Sequence, residues 1–517
     1  MQIKNKINLY TIGIVIILVF SFIIRTYNLS SNPPGFFADE ASIGYNAYTI
    51  LTKGTDEYGI NYPLFFRAFG EYKSPLQIYA TIPFVALFGL NEFSVRLTSV
   101  FFGTLGIFAI YLLTKELFKK YKHNAWIALF SALFLAISPW HIHFSRIAFE
   151  SMPFVFFATL GLYFFLRSQR NVRILTLCVI TFVLAIYSYF PARIFIPLFG
   201  LGIIIVYNRF FLKHKKQIFL NFILLLFLIT PLILFTLSPS GFARWNQVNI
   251  ISQPPKNETV SQHIFTNYIS HFSLDFLFFK GDIDMPGQFI TRHSVRGMGE
   301  LYLLQLPLVI LGFLYLFSKR EKKLIALLIL WLILYPTGSM FTIDKSAQAT
   351  RSIIGVVPFQ ILSAVGLWFI FTMVSKVNKI LNYSLLAVIT AIILFSFTNY
   401  LNSYFIRYRI YSSDFWGWQY GAREIVQYFK ENESKYDELI MAPEFNAPDI
   451  FFKFYAPNNC SKCRIGLSDT NYNPSVKQLF AVTPTYLREH PSIRFKRKKT
   501  IYQPNGTIAF QIGEIVR

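Results

Sequence analysis

"GFFADEASIGYNAYTILTKGTDEYGINYPLFFRAFGEYKSPL", residues 35–76, comes directly after the first greasy segment of the chain. It holds Asp39, Glu40, Asp56, Glu57 and Glu71, five of only 26 acidic residues, with Lys73 close behind. Carboxylates are costly beside hydrocarbon unless they pair, bind a cation or do chemistry. The rest of the chain is hydrocarbon-loving. Its 517 residues are 54% hydrophobic, with 58 Phe and 30 Tyr, and only 15% are charged. Too little polar surface remains for a soluble protein of this size, and the class is an integral membrane protein. Apolar runs at 8–25, 94–117, 125–144, 151–167, 173–190, 192–207, 217–237, 300–318, 323–341, 352–374 and 380–400 predict about eleven transmembrane helices. Each is near the ~20 residues that cross ~30 Å of hydrocarbon. Leu76–Leu90 is shorter, holds Pro83, and reads as a helix lying at the interface or half-entering the membrane.

Basic segments set the expected orientation. "KKYKHN" (119–124), "RSQRNVR" (167–173), "NRFFLKHKKQ" (208–217), "SKREKK" (318–323) and "SKVNK" (375–379) all fall on one side of eleven spans, together with the N-terminal "MQIKNK". That side is expected to be cytoplasmic, in a multi-pass protein of the plasma membrane. The 26–93 loop, the 238–299 loop and everything after about Asn402 then lie outside. The net charge of +23 is largely this positive-inside pattern, plus "RFKRKK" (494–499) in the tail, which suits anionic lipid headgroups. No nucleic-acid partner is needed to explain it. The first span lacks an adjoining small-residue cleavage site and reads as a retained anchor.

Two domains are expected: a transmembrane domain, 1–402, and a small extracytoplasmic α/β domain, 403–517. In the tail, "WGWQYGAREIVQYFKENESKYDELIMAPEF" reads as helix then strand, "VKQLFAVTPTYLREH" as strand then helix, and "RFKRKKTIYQPNGTIAFQIGEIV" as a hairpin turning at Asn505-Gly506. Of three cysteines, Cys178 sits in a span, and Cys460 and Cys463 read first as one local disulfide.

Within the acidic loop, Asp39-Glu40 precede "ASIGYNAYTILTKG", an amphipathic helix whose start favours carboxylates as caps and against the macrodipole. Asp56-Glu57 read as solvated turn residues. Glu71 and Lys73 precede a proline and, beside Asp39, put a carboxylate and a cation at the outer membrane surface.

The order "ADE", "EYKSPL", "FGLNEFSVRLTSVFFGTLGIFAIYLLTKELF" resembles the GT-C superfamily of membrane glycosyltransferases, in the branch of protein O-mannosyltransferases and bacterial lipid A aminoarabinose transferases. "AISPWHIHFSRIAFESMPFVFFATLGLYFFLRS", "YSYFPARIF" and "ATRSIIGVVPFQILSAVGL" extend the resemblance over roughly 8–400. It implies a GT-C-like fold and transfer of a sugar from a polyprenyl-phosphate carrier to a hydroxyl acceptor at the outer face. It also implies Asp39 as catalytic base. Glu71 and Lys73 match the family's Glu-Lys-Pro-Pro-like stretch, whose lysine meets the lipid phosphate, although Ser74 replaces the first proline. Glu150 stands where relatives often carry an aspartate. The candidate catalytic set is Asp39, Glu40 and Glu150.

The chemistry asks for a base at the acceptor hydroxyl and cations at the departing phosphate. Attack from the opposite face of the sugar inverts the anomeric carbon. Besides Glu71 and Lys73, candidate substrate-binding residues are Arg292 and Arg296 in "ITRHSVRG", Lys345 and Arg351 in "DKSAQATR", and Arg193 and Tyr189 in "YSYFPARIF". Arg146 is a candidate too, with headgroup snorkelling as its plain rival. His141 and His143 read as interface histidines. A divalent metal ion held by Glu71 with His293 is a further expectation. The acceptor is a lipid, a glycan or a protein. The alternatives are a transporter or flippase for lipid-linked glycans, which calls for charges in mid-span, and a polymerase or ligase, which calls for arginine-rich outer loops.

Overall fold

The computed structural model describes residues 9–255, 258–282, 291–344, 346–374, 379–415, 417–457, 460–467 and 470–516. The basic N-terminal segment, Lys345 and most of the "SKVNK" segment lie outside the described residues. Six described helices are long and apolar enough to cross a membrane: Leu9–Thr26, Glu92–Leu117, Ser151–Ser168, Lys215–Thr236, Ala349–Val374 and Tyr383–Tyr411. A further pair, Asn124–Ile137 and Pro139–Ser145, is long and apolar enough only when taken together and is bent by 60° at its break. Ser138 stops the first piece, and Pro139 starts the second because an N1 proline needs no hydrogen-bond partner. The remaining expected spans coincide with shorter apolar helices, among them Val172–Ser188, Ala192–Val206 and Gln305–Ser318.

Among the described residues, the first nine α-helices in chain order are α1 (Leu9–Thr26), α2 (Ala38–Lys53), α3 (Pro75–Phe88), α4 (Glu92–Leu117), α5 (Asn124–Ile137), α6 (Pro139–Ser145), α7 (Ser151–Ser168), α8 (Leu175–Ser188) and α9 (Ala192–Val206). Asp39 and Glu40 are inside the first turn of α2, beyond the cap position. The segment between α2 and α3 folds as a two-stranded hairpin, β1 (Phe66–Ala68) and β2 (Glu71–Lys73). Its turn, Phe69-Gly70, has φ of 52° and 80°, the twist a two-residue hairpin requires. Period-2 geometry puts Glu71 and Lys73 on one face of β2.

The tail forms the expected helix–strand, strand–helix and hairpin order. Its five-stranded mixed sheet runs β4 (Cys463–Ile465), β3 (Glu438–Met441), β5 (Gln478–Val482), β7 (Ile508–Ile515), β6 (Phe495–Tyr502). β3 is parallel to β4 and β5, while β7 is antiparallel to β5 and β6. Leu439, Met441, Leu479 and Ala481 face one core, and Ile440, Phe480 and Val482 face the other. Cys460 and Cys463 form a disulfide. Lys496 to Lys499 lie exposed on the edge strand, where charge blocks further strand pairing.

The first core continues out of the sheet unit. Ile425, Phe429, Phe451 and Phe454 share it with Ala41, Ile43 and Ala47 of α2 and Val95 of α4. Gly44 permits this approach: a Cβ there would sit 2.6 Å from both Phe454 and Val95. Polar contacts reinforce it. Lys453 reaches Glu57 at 2.9 Å, and Glu92 receives both Arg423 (3.2 Å) and Tyr455 (2.8 Å). Asp56 and Glu57 are therefore not solvated. The Asp56 carboxylate is buried and accepts the Tyr58 and Ile60 amides, and Glu57 is the buried partner of a cation from the tail.

Candidate functional site

Separate pieces of chain end on one cavity of about 250 Å3, whose lining includes Asp39, Glu71, Lys73, Glu150, Arg193, Arg292 and Arg351. Tyr189 and His293 also line it. Many of the charged groups are delivered by the end of an element. Asp39 comes from the first turn of α2, Glu71 and Lys73 from β2, Glu150 from the residue before α7, and Arg193 from the first turn of α9. Helix ends leave backbone groups unpaired and so sit at polar surfaces, which is why a bundle this apolar concentrates its charge there.

Lys73 is the hub. Its side chain is 6% exposed and its Nζ lies 2.7 Å from Asp39 Oδ1. Burial alone pulls its pKa down, but the facing carboxylates of Asp39, Glu150 and Glu71 outweigh that and raise it. Lys73 is held charged. Glu150 behaves in the opposite way. Burial pushes its carboxyl up, and Lys73 and the Ser74 amide, which donates to it at 2.8 Å, only partly restrain the rise to about 7. Ser74 occupies the cap position of α3, with Pro75 next. It gives its amide to Glu150, and its hydroxyl accepts from Arg193, whose Nη2 is 3.3 Å away. Proline could supply neither group.

Arg193 leans on the Phe190 ring at 5.1 Å, and its buried Nε has no hydrogen-bond partner among the described residues. Arg292 lies 3.8 Å over the centre of the Phe37 ring and donates to the Gly417 carbonyl at 3.1 Å. Burial lowers its pKa to about 10, so it stays charged at neutral pH. Arg351 is bonded to Asp344, a cavity residue that sequence reasoning missed although it stands seven positions earlier in the same motif. Burial raises the Asp344 pKa, but Arg351 overrides it and the net shift is down. An anionic partner for Arg351 is thus supplied by the protein itself. A smaller recess of about 30 Å3, lined by Tyr189, Phe190, Ile194, Trp245 and Phe341, adjoins the cavity and shares Arg351 with it.

Several expected site residues lie elsewhere. Glu40 is fully buried and faces away from the cavity, bonded to Arg96 Nε and Nη2 at 2.9 Å each and to the Ala148 amide at 2.8 Å. Arg146 does not snorkel. It is buried and donates to the carbonyls of Ile24 (2.8 Å), Arg25 (2.9 Å) and Asn32 (2.9 Å). Arg296 is exposed and stacks over Tyr411 at 4.7 Å, outside the cavity lining. Lys345 lies outside the described residues. His141 and His143 are core rather than interface residues, bonded to Arg25 and to the Arg292 carbonyl. Glu71 and His293 both line the cavity, but the described residues contain no group of three or more His, Cys, Asp or Glu side chains able to hold a metal ion. His293 Nδ1 instead meets Asp282, at 3.2 Å. The donor set among the described residues does not fit a metal centre.

Glu150 makes a pH test possible. Its folded-state pKa of about 7 exceeds the ordinary 4.5. Between those values the folded protein binds the extra proton, so stability falls as pH rises through the window. Glu150→Gln cannot ionise and escapes that loss. Thermal unfolding midpoints measured from pH 5 to 8 are expected to shift in favour of the variant as pH rises; parallel profiles count against a perturbed Glu150.

Comparisons with known proteins agree with this architecture. The family of dolichyl-phosphate-mannose-protein mannosyltransferases matches residues 15–250. No curated protein matches the sequence. Among solved structures, ArnT from Cupriavidus metallidurans in the apo state superposes with a TM-score of 0.55 at 14% identity, over 96% of this chain and 97% of that one. The same enzyme bound to undecaprenyl phosphate gives 0.54 at 15% identity over the same shares. The Archaeoglobus fulgidus oligosaccharyltransferase in complex with Zn and sulfate gives 0.54 at 13% identity, over 96% and 72%. The chain resembles GT-C glycosyltransferases in sequence over its first half and has their fold along nearly its whole length.

Proposed function

We propose that this multi-pass membrane protein transfers a sugar from a polyprenyl-phosphate carrier to a hydroxyl acceptor at the outer membrane face, with inversion. The observation that carries the reading is the pairing of Asp39 with a buried, charged Lys73 on the wall of a cavity that also receives Arg193 and Arg292. The resemblance to ArnT, solved with undecaprenyl phosphate, supports the carrier. The adjoining aromatic recess suits its first isoprene units.

The acceptor oxygen attacks the anomeric carbon, and the bond from that carbon to the phosphate oxygen breaks. The bonding pair leaves with the phosphate, and Asp39 takes the acceptor proton. The products are the glycoside and polyprenyl phosphate. Lys73 has three N–H donors. One holds Asp39, which leaves donors for the phosphate, so one cation orients the base and steadies the leaving group. Arg193 and Arg292 add planar donors suited to phosphate. Fixed donors aimed at developing charge supply much of an enzyme's rate. Transport predicts charges in mid-span, whereas this site is built largely from element ends.

The direct test is sugar transfer by purified protein in membranes carrying a panel of polyprenyl-phosphate monosaccharides. Lys73→Gln is expected to lower kcat by about 10²–10³. Wild-type turnover of no donor in the panel, or full activity of the variant, would count against the proposal.

A further inference from the structure

The loop carrying Arg292 is held from the far side by the segment that joins the last membrane helix to the C-terminal sheet. Tyr400, Tyr404 and Tyr408 recur every fourth residue and are fully buried. The Tyr404 and Tyr408 rings stack at 5.4 Å. Tyr408 Oη donates to the Thr291 carbonyl at 2.8 Å and accepts from Trp418 Nε1 at 2.7 Å. The Gly417 carbonyl then takes Arg292 Nη1 itself. Four positions further on, the Arg296 amide donates to Tyr411 Oη at 2.9 Å. His143 Nε2 contacts the Arg292 carbonyl from α6.

Trp418 is locked in turn. Its indole is fully buried, with the Arg96 guanidinium 5.6 Å from its ring and Phe149 at 6.1 Å. Its carbonyl lies so close to Gly35 that a Cβ there would sit 2.1 Å away. Tyr408 and Gly417 thus touch the loop of Arg292 on one side, and Trp418 the segment leading into Asp39 on the other.

We infer that Tyr408 and Trp418 are positioning residues for Arg292, so that the lead-in to the C-terminal sheet sets the grip on the donor phosphate. This rests on the reading of Arg292 as a phosphate contact. Tyr408 and Trp418 both lie beyond the domain border expected near 402, which makes the chain leading into the C-terminal sheet part of the site's construction.

Two measurements on the full-length protein separate the inference from the reading beneath it. Backbone hydrogen exchange over 291–296 is expected to accelerate in Tyr408→Phe and in Trp418→Phe, each of which keeps an aromatic ring and loses one donor. Unchanged exchange in both overturns the inference. The second measurement is a double-mutant cycle read by the Kd for undecaprenyl phosphate. Tyr408→Phe is expected to weaken binding about three- to tenfold in the wild-type background, the size of one hydrogen bond, and to add nothing once Arg292→Ala is present. Equal weakening in both backgrounds marks a merely structural role and overturns the inference. Faster exchange combined with wild-type affinity in Arg292→Ala instead overturns the phosphate role of Arg292, and with it the functional half of the inference.

Discussion

Asp39→Asn is expected to lower sugar transfer by about 10²–10⁴, the usual worth of a positioned general base. The substitution is nearly isosteric, and the amide oxygen can still accept from Lys73, so the 2.7 Å contact has a replacement. Asp39 is about a third exposed, and its loss opens no cavity. The defect should therefore appear in kcat with normal membrane insertion. Undecaprenyl phosphate should bind no more weakly than to wild type, because one negative charge has left a site built for an anion. Lys73→Gln differs, since it removes a charge that the phosphate needs and weakens binding as well. A fully active Asp39→Asn protein would reduce Asp39 to a helix-start carboxylate and leave the reaction without its base.

How far the sequence carries can be judged residue by residue. Asp39, Glu71, Lys73 and Glu150 are legible because they stand in local motifs whose order resembles a known family, and the fold brings all four to one cavity. Arg193, Arg292 and Arg351 are legible as charges where apolar helices begin or loops return. Failures cluster where the deciding partner is remote in sequence. Glu57 reads as a solvated turn residue until Lys453, 396 positions later, is seen against it. Arg146 reads as a substrate-binding cation, or else a snorkelling one, until a pocket of backbone carbonyls from α1 and the loop after it closes around it. Local pattern shows that a group is charged and near a boundary. It does not show whether the group turns to the cavity or into the protein. Helix lengths mislead for a related reason: hydropathy runs on through Ser138-Pro139, where backbone hydrogen bonding breaks.

The sharpest case is Glu40, adjacent to Asp39 and of the same chemical type. Breaking its pair by Arg96→Ala is expected to cost about 3–5 kcal/mol, the usual penalty for stranding one member of a buried ion pair. Arg96 links α4 to the loop before α2. Besides Glu40, it donates to the carbonyls of Leu29 (3.1 Å) and Pro33 (3.1 Å), and its Nη2 contacts the Gly35 carbonyl at 2.5 Å. Glu40 in turn accepts the Phe37 amide at 3.3 Å and the Ala148 amide at 2.8 Å. Phe37 is two residues from Asp39 and Ala148 two from Glu150, so one buried pair ties down the backbones that present both carboxylates. Removing only the partner leaves a buried carboxylate without its counter-charge, held by the Phe37 and Ala148 amides alone, and takes the Arg96 donors from several carbonyls, which explains why the effect should exceed that of a surface ion pair. Denaturant titration of Arg96→Ala in mixed micelles measures the cost. Glu40→Gln then separates positioning from chemistry. It keeps the shape and one acceptor oxygen but loses the charge and sets an NH2 group against donors on the other side, so activity and stability are expected to fall together and to recover together on cooling. A Glu40→Gln protein as stable as wild type yet inactive would place Glu40 in the reaction itself, against its burial and its orientation away from the cavity.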